Sequence, residues 1–156
     1  MKLRYTNNKR AEINTKEYIL EAIKEFGKDV LQILFSPSER WLFTVGKVRK
    51  MQGRRLDKFY SVFMKLLWIL QRGRPDFTTD ISYLCTRMKQ PDIEDWKKLK
   101  RVICFMNQKI DNENIIGANN LHEMQTCFNS YHTVHMDMGV HTGGISTFGI
   151  CILTSK

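Results

Sequence analysis

The chain has 156 residues, 42% hydrophobic and 26% charged, room for one compact domain or two very small ones and too apolar for disorder throughout. Lys and Arg number 25 against 16 Asp and Glu, a formal charge of +9; residues 1–78 hold 17 basic and 8 acidic side chains, whereas residues 79–156 hold 8 of each. Lys65 and Arg72 bracket the apolar stretch 66–70, and the first eight residues contain no apolar run, so no membrane span and no secretory leader are predicted, and the expected location is cytoplasmic or nuclear.

Two short strands, Lys2–Thr6 and Arg10–Asn14, are predicted around the turn-forming Asn7-Asn8. Thr15 then fits a helix N-cap, Tyr18, Ile19, Ala22, Ile23 and Phe26 form one apolar face, and Gly27 ends it. Residues 29–53 are irregular, with Ser36-Pro37-Ser38 as a breaker and Trp41-Leu42-Phe43 as a satellite contact, and are expected to be a long surface connection. Over 57–72 the stripe Phe59, Val62, Phe63, Leu66, Leu67, Ile69 and Leu70 is broad enough to require cover on more than one side, which makes this helix the centre of the core. Gly73 breaks it, and Pro75 suits the first turn of the next, whose face is Phe77, Ile81, Leu84, Cys85 and Met88. After Gln90-Pro91, Asp92 and Asp95 have capping-box spacing ahead of a stripe of Trp96, Leu99, Val102, Ile103 and Met106. Helical spacing ends after Asn107, and 123–134 and 144–153 read as two strands of a hairpin. The expected class is α+β: a small three- to four-helix bundle flanked by an N-terminal strand pair and a C-terminal β-hairpin.

The positive charge is densest at Lys47, Arg49, Lys50, Arg54 and Arg55, five cations in nine residues with no carboxylate, followed by Arg72 and Arg74 beyond the next apolar segment. A polyanion suits such a set, and a solvated basic loop is the plainer alternative. Cations of this kind contact phosphates and carry no base preference. His132, His135 and His141 with Asp137 lie within ten residues, but the odd offset of 132 and 135 sends strand side chains to opposite faces, so turn stabilisation is expected there and no zinc site. The cysteines at 85, 104, 127 and 151 have no zinc-ribbon spacing and are expected to be reduced and mostly buried; no base stands at a spacing that suggests a cysteine nucleophile.

Four segments occur in an order that resembles the copia-type retrotransposon Pol polyprotein: Arg72-Gly73-Arg74-Pro75-Asp76-Phe77, Tyr83-Leu84-Cys85-Thr86-Arg87, Pro91-Asp92-Ile93-Glu94-Asp95-Trp96-Lys97-Lys98-Leu99-Lys100-Arg101-Val102, and His135-x-Asp137-Met138-x-x-His141-Thr142-Gly143-Gly144. Together they span roughly residues 56–156, and the strand pair followed by Tyr18-Ile19 and Phe26 is similar to the family's segment just after its polymerase active site. The resemblance implies that residues 1–14 end a palm-like strand pair, 15–110 form a thumb and connection, and 111–156 form a truncated ribonuclease H-like β-hairpin. It implies an RNA–DNA hybrid or DNA backbone as partner, together with the palm and ribonuclease H segments of a parent polyprotein. Members of that family use magnesium ions held by acidic residues, including an Asp-Asp pair, and no adjacent Asp-Asp pair occurs in this chain. Asn129 stands where the family's first ribonuclease H aspartate would fall, and an amide oxygen without negative charge holds a divalent ion far less well than a carboxylate. No catalytic residue is therefore assigned, and the expectation is a non-catalytic fragment that at most binds template-primer nucleic acid. Two alternatives are an inert retroelement relic and a small basic DNA-binding protein whose recognition helix, residues 92–108, carries Lys97, Lys98, Lys100 and Arg101. The acidic start of that helix argues against the latter, because recognition helices usually present their N-terminal end to base edges.

Overall fold

The computed structural model describes residues 1–6, 10–27, 30–38, 42–44, 49–117, 123–131, 141–148 and 151–155. It is a mixed α+β structure with four α-helices and two small antiparallel sheets. Strands β1 (Lys2–Thr6) and β2 (Arg10–Asn14) form the pair that the sequence predicts, in a register that sets Leu3 opposite Ile13. A third strand, β3 (Asn114–Ile116), adds to the free edge of β2 with Glu12 opposite Ile115, so the expected strand pair is a three-stranded sheet. Three residues separated from their partner by a hundred positions carry no periodicity that could announce them.

Helix α1 (Lys16–Phe26) buries Ile19, Ala22 and Phe26 and stops at Gly27, whose φ of 102° suits glycine and whose N–H bonds to Ile23 O at 3.0 Å. Thr15 occupies the predicted cap position, but its side chain makes no capping bond; the Asn14 side chain accepts from Lys16 N at 2.9 Å instead. Helix α2 (Arg54–Gly73) turns Phe59, Val62, Phe63, Leu66 and Ile69 inward, the spacing expected of one helical face. It begins earlier than the apolar stripe predicts. Gly53, at φ 60°, reverses the chain, and the Gly53 carbonyl accepts from Leu56 N at 2.8 Å and Asp57 N at 3.2 Å, so Arg54 and Arg55 form the first turn of a helix and not the tail of a loop. At the far end Gly73 is required by packing, because a Cβ there would stand 3.0 Å from Thr15 Cγ2 and 3.2 Å from Ile13 Cγ2, where the first sheet meets the helices.

A 3₁₀ turn at Pro75–Phe77, held by Thr78 Oγ1 donating to Pro75 O at 2.7 Å, leads into α3 (Thr78–Arg87). Helix α4 (Ile93–Gln108) starts with the capping box read from the sequence: Asp92 accepts from Glu94 N at 2.8 Å and Asp95 N at 3.0 Å, while Asp95 accepts from Asp92 N at 3.0 Å. All four helices contribute to one apolar core. Segment 30–44 also contributes. Val30, Leu34 and Leu42 are buried, and Phe43 meets Tyr83 edge-on at 5.6 Å, so this stretch is more than the predicted surface connection. Asn107 and Gln108 of α4 fasten it by donating to Val30 O and Gln32 O, and the Gln108 amide oxygen accepts from Leu34 N. Trp41 lies outside the described residues.

The second sheet has the order β4 (Gln125–Tyr131), β5 (His141–Phe148), β6 (Cys151–Ser155), with Asn129 opposite Gly143 and Phe148 opposite Cys151. The expected hairpin is therefore a three-stranded meander. The stretch 145–153, rich in apolar and β-branched residues, hid the reversal between β5 and β6. Cys85 and Cys127 are exposed and Cys104 is buried, which corrects the expectation of mostly buried thiols.

Candidate nucleic-acid interface

Two chain segments bring basic residues together. Residues 49–51 lie antiparallel to the approach to α4, with Ile93 N bonded to Arg49 O at 3.3 Å and Met51 N to Pro91 O at 3.0 Å. Gly53 then swings the chain into α2, so that Arg49, Lys50, Arg54 and Arg55 gather where α2 and α4 both begin. All four are exposed. Arg55 is held over the Trp96 ring, 4.8 Å from its centroid, and Trp96 stacks on Phe26 at 4.8 Å, so a layered aromatic contact from α1 and α4 orients a cation from α2. Lys50 bonds the Gln90 side chain. Lys47 lies outside the described residues.

Of the carboxylates near this surface, Asp57 in the first turn of α2 is exposed, whereas those at the start of α4 are engaged. Asp92 and Asp95 cap α4 and take Arg87 at 3.4 and 3.3 Å, and Glu94 pairs with Lys97 at 2.7 Å. Among the described residues no ion pair engages Arg49, Arg54 or Arg55. The first turn of α2, moreover, has no side-chain cap, so the positive end of the helix dipole adds to the same field, with Asp57 offsetting part of it.

The two later arginines part company. Arg72, in the last turn of α2, is exposed, with its guanidinium 5.7 Å from the Trp68 ring centroid. It stands 18 residues beyond Arg54, about 27 Å along a straight helix. Arg74 is 3% exposed. Its guanidinium grips Asp76 with two bonds of 2.9 and 2.7 Å and donates to Lys109 O at 2.9 Å, so it ties the α2–α3 junction to the end of α4 and is not presented to solvent. A charge count could not separate the two, because the partner that claims Arg74 lies two residues away and a carbonyl that helps lies 35 away.

The basic side chains of α4 are likewise mostly committed. Lys98 donates to Tyr83 Oη and to Thr44 O, each at 3.0 Å, and burial lowers its proton affinity below that of an ordinary lysine, with Asp95 opposing. That inward arrangement disfavours α4 as a recognition helix.

Asn129 is exposed on β4 and lines a cavity of about 370 Å³ between the second sheet and the Pro75–Thr79 segment. Its neighbours there include Pro75, Thr78, Phe128 and Gly144, with no carboxylate among them. These residues do not fit a magnesium ion, which requires anionic oxygens. Among the described residues no group of three or more His, Cys, Asp or Glu is placed to hold a metal. His132, His135 and Asp137 lie outside the described residues. Among the described residues no helix is long and apolar enough to cross a membrane.

Comparisons with protein-family models, with curated proteins and with solved structures found no match.

Proposed function

We propose that the chain is a piece of a copia-type retrotransposon reverse transcriptase and ribonuclease H polyprotein, without catalytic carboxylates of its own, and that it binds the phosphate backbone of a nucleic-acid duplex. In this reading helices α1 to α4 are the thumb and connection, and the second sheet belongs to the ribonuclease H part. The observation that carries the binding function is the exposed group Arg49, Lys50, Arg54 and Arg55 at the joint start of α2 and α4, where four cations outnumber the exposed Asp57 and the α4 carboxylates are held by Arg87 and Lys97. Arg72 extends the same charge along α2, and Lys47 adjoins it in sequence. Template-primer is the fitting ligand class, an RNA–DNA hybrid in particular, and contacts of this type are tolerant of sequence. Fluorescence anisotropy with a labelled hybrid tests it. The triple variant Arg49→Gln, Arg54→Gln, Arg55→Gln should bind about ten- to hundred-fold more weakly, since each exposed charge contact is worth on the order of 0.5–1 kcal/mol. Equal binding by variant and parent would rule the surface out.

A second reading draws on a different observation. Leu31, Ile33 and Phe35 are 88%, 80% and 101% exposed, an apolar ridge suited to cover by other parts of a polyprotein. On that reading the chain alone is poorly soluble and recovers when flanking polypeptide is supplied; a well-behaved monomer with cooperative unfolding would count against it.

A further inference from the structure

Away from the basic end, α1 and α2 leave a groove on their outer side. The contacts Tyr18 to Trp68, Glu25 to Lys65 and Phe26 to Lys58 run in opposite senses along the two helices, which are therefore antiparallel. The groove has a volume of about 390 Å³ and is lined by Tyr18, Glu21, Met64, Lys65 and Trp68. That lies within the roughly 300–1,000 Å³ of small-ligand sites. The Tyr18 and Trp68 rings lie one against the other, with centroids 4.4 Å apart and planes at 33°; Tyr18 is 37% exposed and Met64 56% exposed beside it. Lys65 is held by Glu25 at 2.7 Å, and among the described residues no ion pair engages Glu21, the groove's own carboxylate. One turn past Trp68 stands the exposed Arg72 guanidinium.

We propose that this groove takes an unpaired nucleotide of a nucleic-acid strand, its base stacked on the exposed Tyr18 ring, which Trp68 backs, and its phosphate on Arg72. The inference rests on the duplex-binding reading and adds a single-strand site to it. Aromatic side chains bind any base through its π-face, but only an unpaired base has that face free. The charges fix the orientation: Glu21 repels phosphate from the groove and accepts a base N–H, while Arg72 attracts phosphate at its end. An apolar helix laid in the same groove would bury Glu21 and Arg72 without opposite charges to meet them, which disfavours a protein ligand. Met64 and Trp68 follow Arg54 by 10 and 14 residues, about 15–21 Å along the helix, so a strand leaving a duplex at the basic end can reach the groove.

The test uses the full chain, with the Trp68 fluorescence signal taken as the difference between the parent and Trp68→Leu. Two probes are compared, a blunt RNA–DNA hybrid and the same hybrid with an unpaired oligo(dA) tail. The tail should tighten binding about ten-fold, the scale of one stacked base, and quench Trp68 fluorescence. Trp68→Leu, which keeps an apolar contact with the core, and Tyr18→Leu should each abolish the gain from the tail, and Tyr18→Leu should leave affinity for the blunt hybrid unchanged. Equal affinity for the two probes, with no quenching, overturns the groove and leaves the basic surface standing. Failure of both probes to bind overturns the basic surface and the groove with it.

Discussion

Arg72 and Arg74 stand two positions apart, one exposed at the end of α2 and the other buried with three hydrogen bonds. Removing Arg74 would leave Asp76 without its partner and the Lys109 carbonyl without a donor, so Arg74→Ala should lower unfolding free energy by about 2–4 kcal/mol in urea melts. The fraction that stays folded should bind a hybrid as tightly as the parent. Asp80 carries the second residue-scale prediction. Burial pushes its carboxyl above the ordinary 3.8, and the Ser38 hydroxyl at 2.8 Å, its own backbone N–H and the Arg101 charge oppose the shift. A carboxyl whose proton affinity is raised on folding favours the folded state fully below the unfolded value, and that contribution is lost as pH climbs through the raised one. Relative to Asp80→Asn, the parent should therefore gain urea stability on going from pH 7 toward pH 4. No relative gain would mean that burial of this group is not the dominant influence.

At the scale of elements, Asp92 joins fold to surface. It caps α4 and receives Arg87, and the chain flanking it, at Pro91 and Ile93, is bonded to Met51 and Arg49. Asp92→Ala should cost about 1–2 kcal/mol of stability in thermal or urea unfolding and also loosen the segment that presents Arg49 and Lys50, weakening hybrid binding. Asp92→Ser keeps a capping oxygen and should restore most of the stability. This element was legible in the sequence because a cap, a box partner three residues on and an apolar stripe all lie within one local stretch. β1, β2 and α1 were legible for the same reason. What escaped depends on distant or competing signals. β3 exists only because β2 has a free edge, and the β5–β6 reversal hides within a stretch rich in residues that favour strands. The start of α2 was obscured because Arg54 and Arg55 are good helix formers that also read as a basic loop.

For the whole molecule, the +9 charge sets the general expectation of polyanion binding, and the fold decides which cations serve it. Arg74 and Lys98 are drawn inward, Lys97 is paired, and Arg49, Lys50, Arg54 and Arg55 are brought to one end by a loop and two helix starts that are apart in sequence. The candidate surface was thus visible as composition but not as an arrangement. The aromatic groove was not visible at all, since Tyr18 and Trp68 lie fifty positions apart and each reads as ordinary helix packing. Binding through such a surface should be electrostatic in its thermodynamics, with each neutralised phosphate releasing condensed counterion.

The most direct measurement is the affinity for a blunt RNA–DNA hybrid as a function of salt concentration, by fluorescence anisotropy at fixed pH. With four to five cations in contact with phosphates, the logarithm of the association constant should fall against the logarithm of salt concentration with a slope of about −3 to −5. The slope should shrink by roughly one unit for each of Arg49, Arg54 and Arg55 replaced by Gln. An affinity that is the same at low and high salt, or a slope untouched by those substitutions, would contradict the assignment of this surface to a nucleic-acid backbone.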